Sequence, residues 1–587
     1  MAVASLVFVT LVFWALVRVM GLILARFYPQ KFKELTDPVA PGSPALLPTS
    51  SSHGSARKRF HHLSIGHWSL SFSTNALNSA LYKLVPDTPP WRAFHRLFYS
   101  AGAVFGLLSL FGSMAFLAAN GISLLVVFAK LASPSADITA VQTLSPQDLE
   151  FRSNSSSSYS TRTYFAQSMA GGSNGFVSLI PGVNIHVSSL GYYVLALLVC
   201  GVVHELGHAL AAIVERVPIE SVGVFLYVIY PGAFVDLHQA SLETKGPSQK
   251  LRVICAGVWH NVVLGLWVWL VLTTLPLWLS WGYKLSNSGV VVLDVTRDSP
   301  LRGHVPPAAM ISQVNGRDAS TVQDWEQLLY ENLVDDTSIH QGYCVTASRE
   351  DKGTLECCDV SEAHPFGRRP SSLQCFQELD ATKTLMSPMQ ACLLAHNITE
   401  NHPRCRSRSD CDMASGPMQC MSVYVPQPYV RLIRLSIRDR ESTATLNPSS
   451  KDTSRTVTFL GDPREIWEGV RIGSLVPRAR WLPICIPYMV EELLQFIMSF
   501  TFALAVFNMV PSHMLDGQHA LVVIVDVIMD WIHGHVSGES LDVSGKSHVS
   551  FGRVDARKRS TVKWISNAAT VLLSVTMLRS VLGAFGI

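Results

Sequence analysis

Two histidines four residues apart, with a glutamate beside the first, are the residues of this chain best suited to chemistry: His204-Glu205-Leu206-Gly207-His208. On a helix, positions i and i+4 share one face, so both imidazoles can reach a single Zn²⁺. Glu205 then lies beside that ion, where its carboxylate can take a proton from water. The flanks sharpen the reading. Val194-Leu195-Ala196-Leu197-Leu198-Val199 just upstream is wholly apolar, and ionisable groups inside such a run are costly unless they are partnered. A metal site within a membrane segment satisfies both observations.

A catalytic zinc site takes three protein ligands and keeps one position open. No further ligand closely follows His208, so the third must come from another segment. The stretch Asn508-Met509-Val510-Pro511-Ser512-His513-Met514-Leu515-Asp516-Gly517 ends an apolar run and offers Asp516, with His513 as the alternative. Pro511 breaks the helix there and frees backbone to line a polar cavity. His260 reads as a hydrogen-bonded helix histidine, and Asp236 as a cap or anchor of the short apolar stretch 222–237.

Elements that could position these residues are membrane spans. Of 587 residues, 48% are hydrophobic and only 15% charged, well below the roughly one quarter charged in soluble domains. Mean hydropathy is +0.26. A formal net charge of +3, without a basic stripe bearing aromatics, gives no reason to expect nucleic acid as a partner. The partners implied are membrane lipid and whatever the site cuts.

The fold class expected is a polytopic α-helical membrane protein with an inserted β-rich domain that carries a cysteine-rich insertion. Residues 1–25 read as a transmembrane anchor, since the n-region has no positive charge and no small-residue cleavage site follows. Residues 26–98 read as a polar linker with one short ordered piece near Trp68. Residues 99–130 form one tilted helix or a hairpin broken at Asn120-Gly121. Residues 131–187 are a Ser-rich lumenal loop with a glycosylation acceptor at Asn154.

Residues 188–285 hold the first part of the catalytic membrane core. Within it, 222–237 is too short to cross a bilayer and reads as a re-entrant loop or membrane-edge hairpin. Residues 481–530 hold the second part of the core, and 531–587 a loop and a C-terminal span. The polar region 286–480 lies between the two parts. There Val290 to Val295 reads as a strand, and Met310 to Leu328 as strand, Asn315-Gly316 turn and helix.

Eight of the eleven cysteines (Cys344, Cys357, Cys358, Cys375, Cys392, Cys405, Cys411, Cys420) crowd into 344–420. An even set without a CxxC pair points to disulfides in an oxidising compartment, which places this domain in the lumen. The basic Lys31, Lys33, Arg57, Lys58 and Arg59 argue the opposite side for 26–90. Oxidation is a chemical requirement and charge bias a statistical one, so the cysteines decide. A second acceptor stands at Asn397. Cys200, Cys255 and Cys485, isolated among apolar residues, read as buried small hydrophobes.

The HELGH run in a span, followed far downstream by Asn508, Pro511 and Leu515-Asp516-Gly517, resembles the site-2 protease family of intramembrane zinc metalloproteases. The resemblance extends to Gly257-Val258-Trp259-His260-Asn261, to Tyr230-Pro231-Gly232-Ala233-Phe234-Val235-Asp236 and to Pro181-Gly182-Val183-Asn184. It covers about 180–330 and 485–520 closely. It implies one Zn²⁺ held by His204, His208 and Asp516, with Glu205 as general base and acid. It assigns Asn261 to the tetrahedral intermediate or the substrate, a role that amide donors suit, and Gly257, Asn508 and Pro511 to substrate positioning.

The implied substrates are transmembrane helices of membrane-anchored transcription factor precursors, cut after a first lumenal cleavage. The implied setting is the Golgi or endoplasmic reticulum membrane, in sterol and ER-stress signalling. Residues 289–340 resemble part of a PDZ-like domain, through Asp298-Ser299-Pro300 and Val314-Asn315-Gly316. The usual Gly-Asp before the second strand is absent, and Ala309-Met310 stand there instead. In the family this module filters substrates by ectodomain size. Two other readings compete: a metal-ion transporter using the same His and Asp residues, and an inactive PDZ-containing scaffold.

Overall fold

The computed structural model describes residues 2–29, 61–86, 88–132, 189–286, 288–334, 342–346, 358, 373–379, 389–411, 418–424, 430–438, 454–479, 481–536 and 548–584. The chain divides into two compact units, one of residues 1–145, 161–275 and 490–587, the other of 146–160 and 276–489. Asn154 and Cys357, with the rest of the Ser-rich loop, lie outside the described residues.

In chain order the first unit begins with α1 (Ala2–Phe27), β1 (His61–Ile65), β2 (Ser69–Thr74), α2 (Asn78–Leu84) and α3 (Pro89–Ala132). It continues with α4 (Leu190–Val214), β3 (Ile219–Tyr227), β4 (Tyr230–Leu237), α5 (Gln239–Glu243), α6 (Pro247–Ile254) and α7 (Ala256–Leu279). Among the described residues six helices are long and apolar enough to cross a membrane: α1, α3, α4, α7 and two C-terminal helices introduced below. The protein is a multi-pass membrane protein.

Helix α3 runs unbroken through Asn120-Gly121. Asn120 Nδ2 donates to Phe116 O, 2.9 Å away and one turn back, so the amide is satisfied inside the helix. A Cβ on Gly121 would come within 2.9 Å of Leu572 Cδ2. The pair therefore serves close helix packing, and the hairpin alternative falls.

Residues 222–237 form most of the hairpin β3–β4, the other side of an antiparallel sheet ordered β1-β2-β3-β4. The region 26–98 carries the ordered piece expected near Trp68, and it also holds α2 and the start of α3, more order than a linker has. Residues 61–74 make the hairpin β1–β2, and β2 pairs with β3 from Ser69↔Tyr227 to Thr74↔Val222. Serines and threonines alternating with Leu70 and Phe72 make the run look polar, while its period of two suits a strand.

The β3–β4 turn is unusual. Val228 sits at φ +57°, and Ile229 beside it does not share the positive φ, the pattern of a II′ turn that ordinarily takes glycine first. Its N–H donates to Trp68 O and its carbonyl accepts from the indole of buried Trp14, both at 2.8 Å. Left-handed backbone costs an L-residue about 1–2 kcal/mol, and these two bonds hold it. Val228→Gly is expected to stabilise the detergent-solubilised protein, by about 1 kcal/mol or less once glycine's own entropy is counted. Thermal unfolding checks this, and the midpoint should rise.

The second unit is β-rich. It contains β5 (Tyr283–Leu285), β6 (Val290–Val295), β7 (Met310–Val314), β8 (Arg317–Asp318), α8 (Val322–Val334), β9 (Gly342–Thr346), β10 (Leu373–Glu378) and β11 (Gln390–Leu394). Then come α9 (Ala395–Asn401), β12 (Arg404–Cys405), β13 (Met418–Val423), β14 (Arg431–Arg438), β15 (Ser454–Gly461), α10 (Pro463–Gly469), β16 (Val470–Gly473) and β17 (Leu475–Pro477). One sheet runs β15-β14-β7-β6-β16 with β8 beside β7, and a second runs β11-β10-β13-β9-β12.

The first sheet buries Val292, Ile311, Ile433, Leu435 and Ile437 together with Trp325 and Leu329 of α8 and Ile466 of α10. Asn315 and Gly316 both have positive φ and join β7 to β8, the signature of a tight I′ turn. Thr321 and Asp324 cap α8 reciprocally, Thr321 N donating to Asp324 Oδ2 at 2.9 Å and Asp324 N to Thr321 Oγ1 at 3.1 Å. The Ser320 hydroxyl and the Thr321 donors hold the Asp324 carboxyl below its usual range.

Disulfides link Cys344–Cys411, Cys358–Cys375 and Cys405–Cys420, and Cys392 is also disulfide-bonded. Cys200 and Cys255 are buried thiols, but Cys485 is exposed. It precedes the helix that starts at Ile486, in a turn where apolar neighbours do not enclose it. Asn397 is exposed on α9, while Thr399 of the same acceptor is buried.

Candidate metal centre

The first unit closes with α11 (Ile486–Phe507), α12 (Asp516–Val536) and α13 (His548–Ala584). Helices α4, α7 and α11 pack through Ala196, Leu197, Cys200, Val268, Phe496, Ile497 and Phe500. Small residues bring α7 close to α4: a Cβ on Gly207 would lie 2.5 Å from Ala256 O.

On α4, His204 and His208 share a face, and their Nε2 atoms stand 3.1 Å apart. Asp516, the first residue of α12, brings Oδ2 to 2.9 Å from His204 Nε2 and 3.3 Å from His208 Nε2. Tetrahedral zinc with ligands at about 2.0–2.1 Å has donors about 3.3 Å apart. The observed triangle fits.

The backs of the rings fit as well. His208 Nδ1–H donates to Val253 O at 2.9 Å, which leaves the Nε2 lone pair for a metal. His204 Nδ1 lies 3.2 Å from the carboxamide of Asn261, a fully buried residue whose Oδ1 otherwise has no partner. With the amide oxygen turned to Nδ1–H, the imidazole has its acceptor and His204 Nε2 is likewise free. Thr501 of α11 donates to Asn261 O at 2.8 Å and fixes the start of α7 against it.

Asn508 stands on the other side, its carboxamide 3.3 Å from His204 Nε2. Gly257 is buried against the two rings; an added Cβ would lie 2.4 Å from His208 Nε2 and 2.6 Å from His204 Nε2. The Glu205 carboxylate accepts from Val235 N of β4 at 3.1 Å.

The loop to Asp516 is held tightly. Gly517 N donates to Asn508 O at 2.7 Å, and a Cβ on Gly517 would lie 2.4 Å from Met509 O and Val510 O. Pro511 is buried within this loop. His513 turns away, its ring 2.8 Å from Asn567 Oδ1 and exposed. His260 Nδ1–H donates to Ala256 O at 3.1 Å, and Asp236 accepts from Ser221 across the hairpin.

Sequence reasoning passed over Val235, Val253 and Thr501. The first two act through backbone atoms and leave no signal. Thr501, a hydroxyl in an otherwise apolar span, did leave one.

A model of Peptidase family M50 matches residues 192–537, well over half the chain and all of the residues above from His204 to Asp516. The chain belongs to this family. It is a metalloprotease, and the membrane setting makes it an intramembrane one. The M50 chain is also 27% identical over 369 residues to the membrane-bound transcription factor site-2 protease homolog of Arabidopsis thaliana, covering 58% of this chain and 71% of that one. The transporter and inactive-scaffold readings are not favoured by either finding. A metal cofactor comes with the family, and His204, His208 and Asp516 are one of two groups of potential metal-holding residues among those described; the other is three disulfide-bonded cysteines.

Proposed function

We propose that His204, His208 and Asp516 hold one Zn²⁺, and that the enzyme hydrolyses a peptide bond inside the transmembrane helix of a membrane-anchored protein. The observation that carries this is the triangle of three donors, 2.9–3.3 Å apart, between apolar spans. The ion, when bound, supplies Lewis acidity that lowers the pKa of water and polarises a carbonyl.

Glu205 accepts the proton from the attacking water and delivers it to the leaving amine. The Val235 N–H holds one carboxylate oxygen and leaves the other for this transfer. Asn261 and Val253 orient the two histidines from behind. Asn508, beside His204 Nε2, offers an amide donor to the developing oxyanion. Gly257 admits α7 to the ligands, and Pro511 ends α11 so that Asp516 can turn in.

By analogy with what the Arabidopsis relative is named for, the substrates are membrane-anchored transcription factor precursors already trimmed on the lumenal side. The compartment is the Golgi or endoplasmic reticulum, the signals those of sterol and ER stress. The disulfides of the second unit suit a lumenal position and a glycan at Asn397. That unit reads as PDZ-like, with the cysteine-rich segment 344–420 inserted between α8 and β14. The strand, Asn-Gly turn and capped helix of residues 310–334 support this.

A substrate helix must unwind before its backbone can reach the zinc ligands. Reporters whose transmembrane segment carries Asn, Gly or Pro should therefore be cut faster than an all-Leu segment of equal length. Release of the reporter's cytosolic part measures it. Equal rates for both reporters would overturn the helix-unwinding step.

A further inference from the structure

Helix α13 lies beyond residues 192–537, the part that matches the family, yet it makes three polar contacts to the loop that carries Asp516. We infer that Asn567 and Thr570 of α13 are positioning residues for the metal ligand Asp516, a reading that rests on Asp516 being a ligand.

Thr570 is a node. Its hydroxyl donates to Ser566 O at 2.7 Å, so its lone pairs face the loop. Ser512 Oγ, buried, then donates to Thr570 Oγ1 at 2.9 Å, and His513 N approaches the same oxygen at 3.3 Å. One turn earlier, Asn567 Oδ1 accepts from His513 Nε2 at 2.8 Å. Val510 and Ala569 pack beneath these bonds with Leu117 of α3.

The loop needs such a hold. Met514, between His513 and the ligand, has φ +71° and is 96% exposed, so its side chain fixes nothing. Asp516 is thus set from one side by Gly517 N on Asn508 O, and from the other by Ser512 and His513 on α13. Both supports must hold for Oδ2 to stay within 3.3 Å of both imidazoles. Partners behind a ligand change metal affinity by about 10–100-fold when removed.

The test is zinc retention by the purified full-length protein against a graded chelator. Thr570→Val, which keeps the shape and removes the hydroxyl, is expected to hold zinc about ten-fold more weakly, and Thr570→Ser to restore it. Asn567→Ala should shift affinity in the same direction, and gives the reading if Thr570→Val does not fold. Ser574→Ala, one turn along α13 and bonded to Thr570 O, should retain zinc as the parent does.

Unchanged retention in Thr570→Val, or in Asn567→Ala where that is the folded variant, overturns the proposal. So does equal loss in Ser574→Ala, which would mean general loosening of the helix. A parent protein that takes up no zinc overturns the ligand reading itself, so the two failures are distinguishable.

Discussion

Glu205→Gln is expected to abolish cleavage of a transmembrane reporter while leaving one zinc per chain in place. Glutamine matches glutamate in size, and its carbonyl oxygen can still accept from Val235 N. The three donors of His204, His208 and Asp516 are untouched. What disappears is the group that accepts and returns a proton. General acid–base catalysis is worth about 10²–10⁴-fold, so turnover should fall by at least about 100-fold. Zinc content by elemental analysis, measured with reporter release on the same preparation, checks both halves. Loss of zinc together with activity would make Glu205 part of the metal's support rather than the proton carrier.

Gly257→Ala is expected to destroy the metal site although it adds only one methyl group. The new Cβ would stand 2.4 Å from His208 Nε2 and 2.6 Å from His204 Nε2. Side chains do not make such contacts, so either the rings rotate or α7 backs away from α4. Backing away would separate Asn261 from His204 Nδ1 and open the contact at Gly207 and Ala256 O. Rotation would break the His208 bond to Val253 O.

Either route removes the support of a ligand, and with the clash itself the expected zinc affinity falls by more than about 100-fold, activity with it. Gly201→Ala on α4 is the control. Its nearest neighbour, Ala233 N, would lie 3.8 Å away, so zinc and turnover should survive. Normal zinc in Gly257→Ala would show that the helices have more room than this packing gives them.

The candidate ligands were readable: two imidazoles at helical spacing in an apolar run, and an aspartate after a proline that ends a span, chosen over His513 by the family resemblance. Their supports were less so. Val253 and Val235 act through main-chain atoms, and any residue has those. Gly257 appeared beside Asn261 in sequence, but that its missing side chain is what the two imidazoles require depends on how α7 crosses α4.

The hairpin β1–β2 was legible only as a short ordered piece near Trp68, because serine and threonine read as linker by polarity while their alternation with Leu70 and Phe72 builds a strand. Asn120-Gly121 shows the converse: a pair that signals a turn in water is absorbed by a membrane helix when the amide bonds one turn back. Met310 to Leu328 was legible as strand, Asn-Gly turn and helix, since these depend on local backbone and near neighbours. The long-range brace from α13 has no local counterpart in the loop sequence.

The position of the cut is the most direct test of an intramembrane zinc protease. The purified protein in lipid vesicles, with a single-span reporter and the products read by mass spectrometry, should yield termini inside the apolar stretch of the reporter. Cleavage should stop with a chelator, return with added Zn²⁺ and be absent from Glu205→Gln. Termini outside the span, or the same products from the Glu205→Gln protein, would contradict the account.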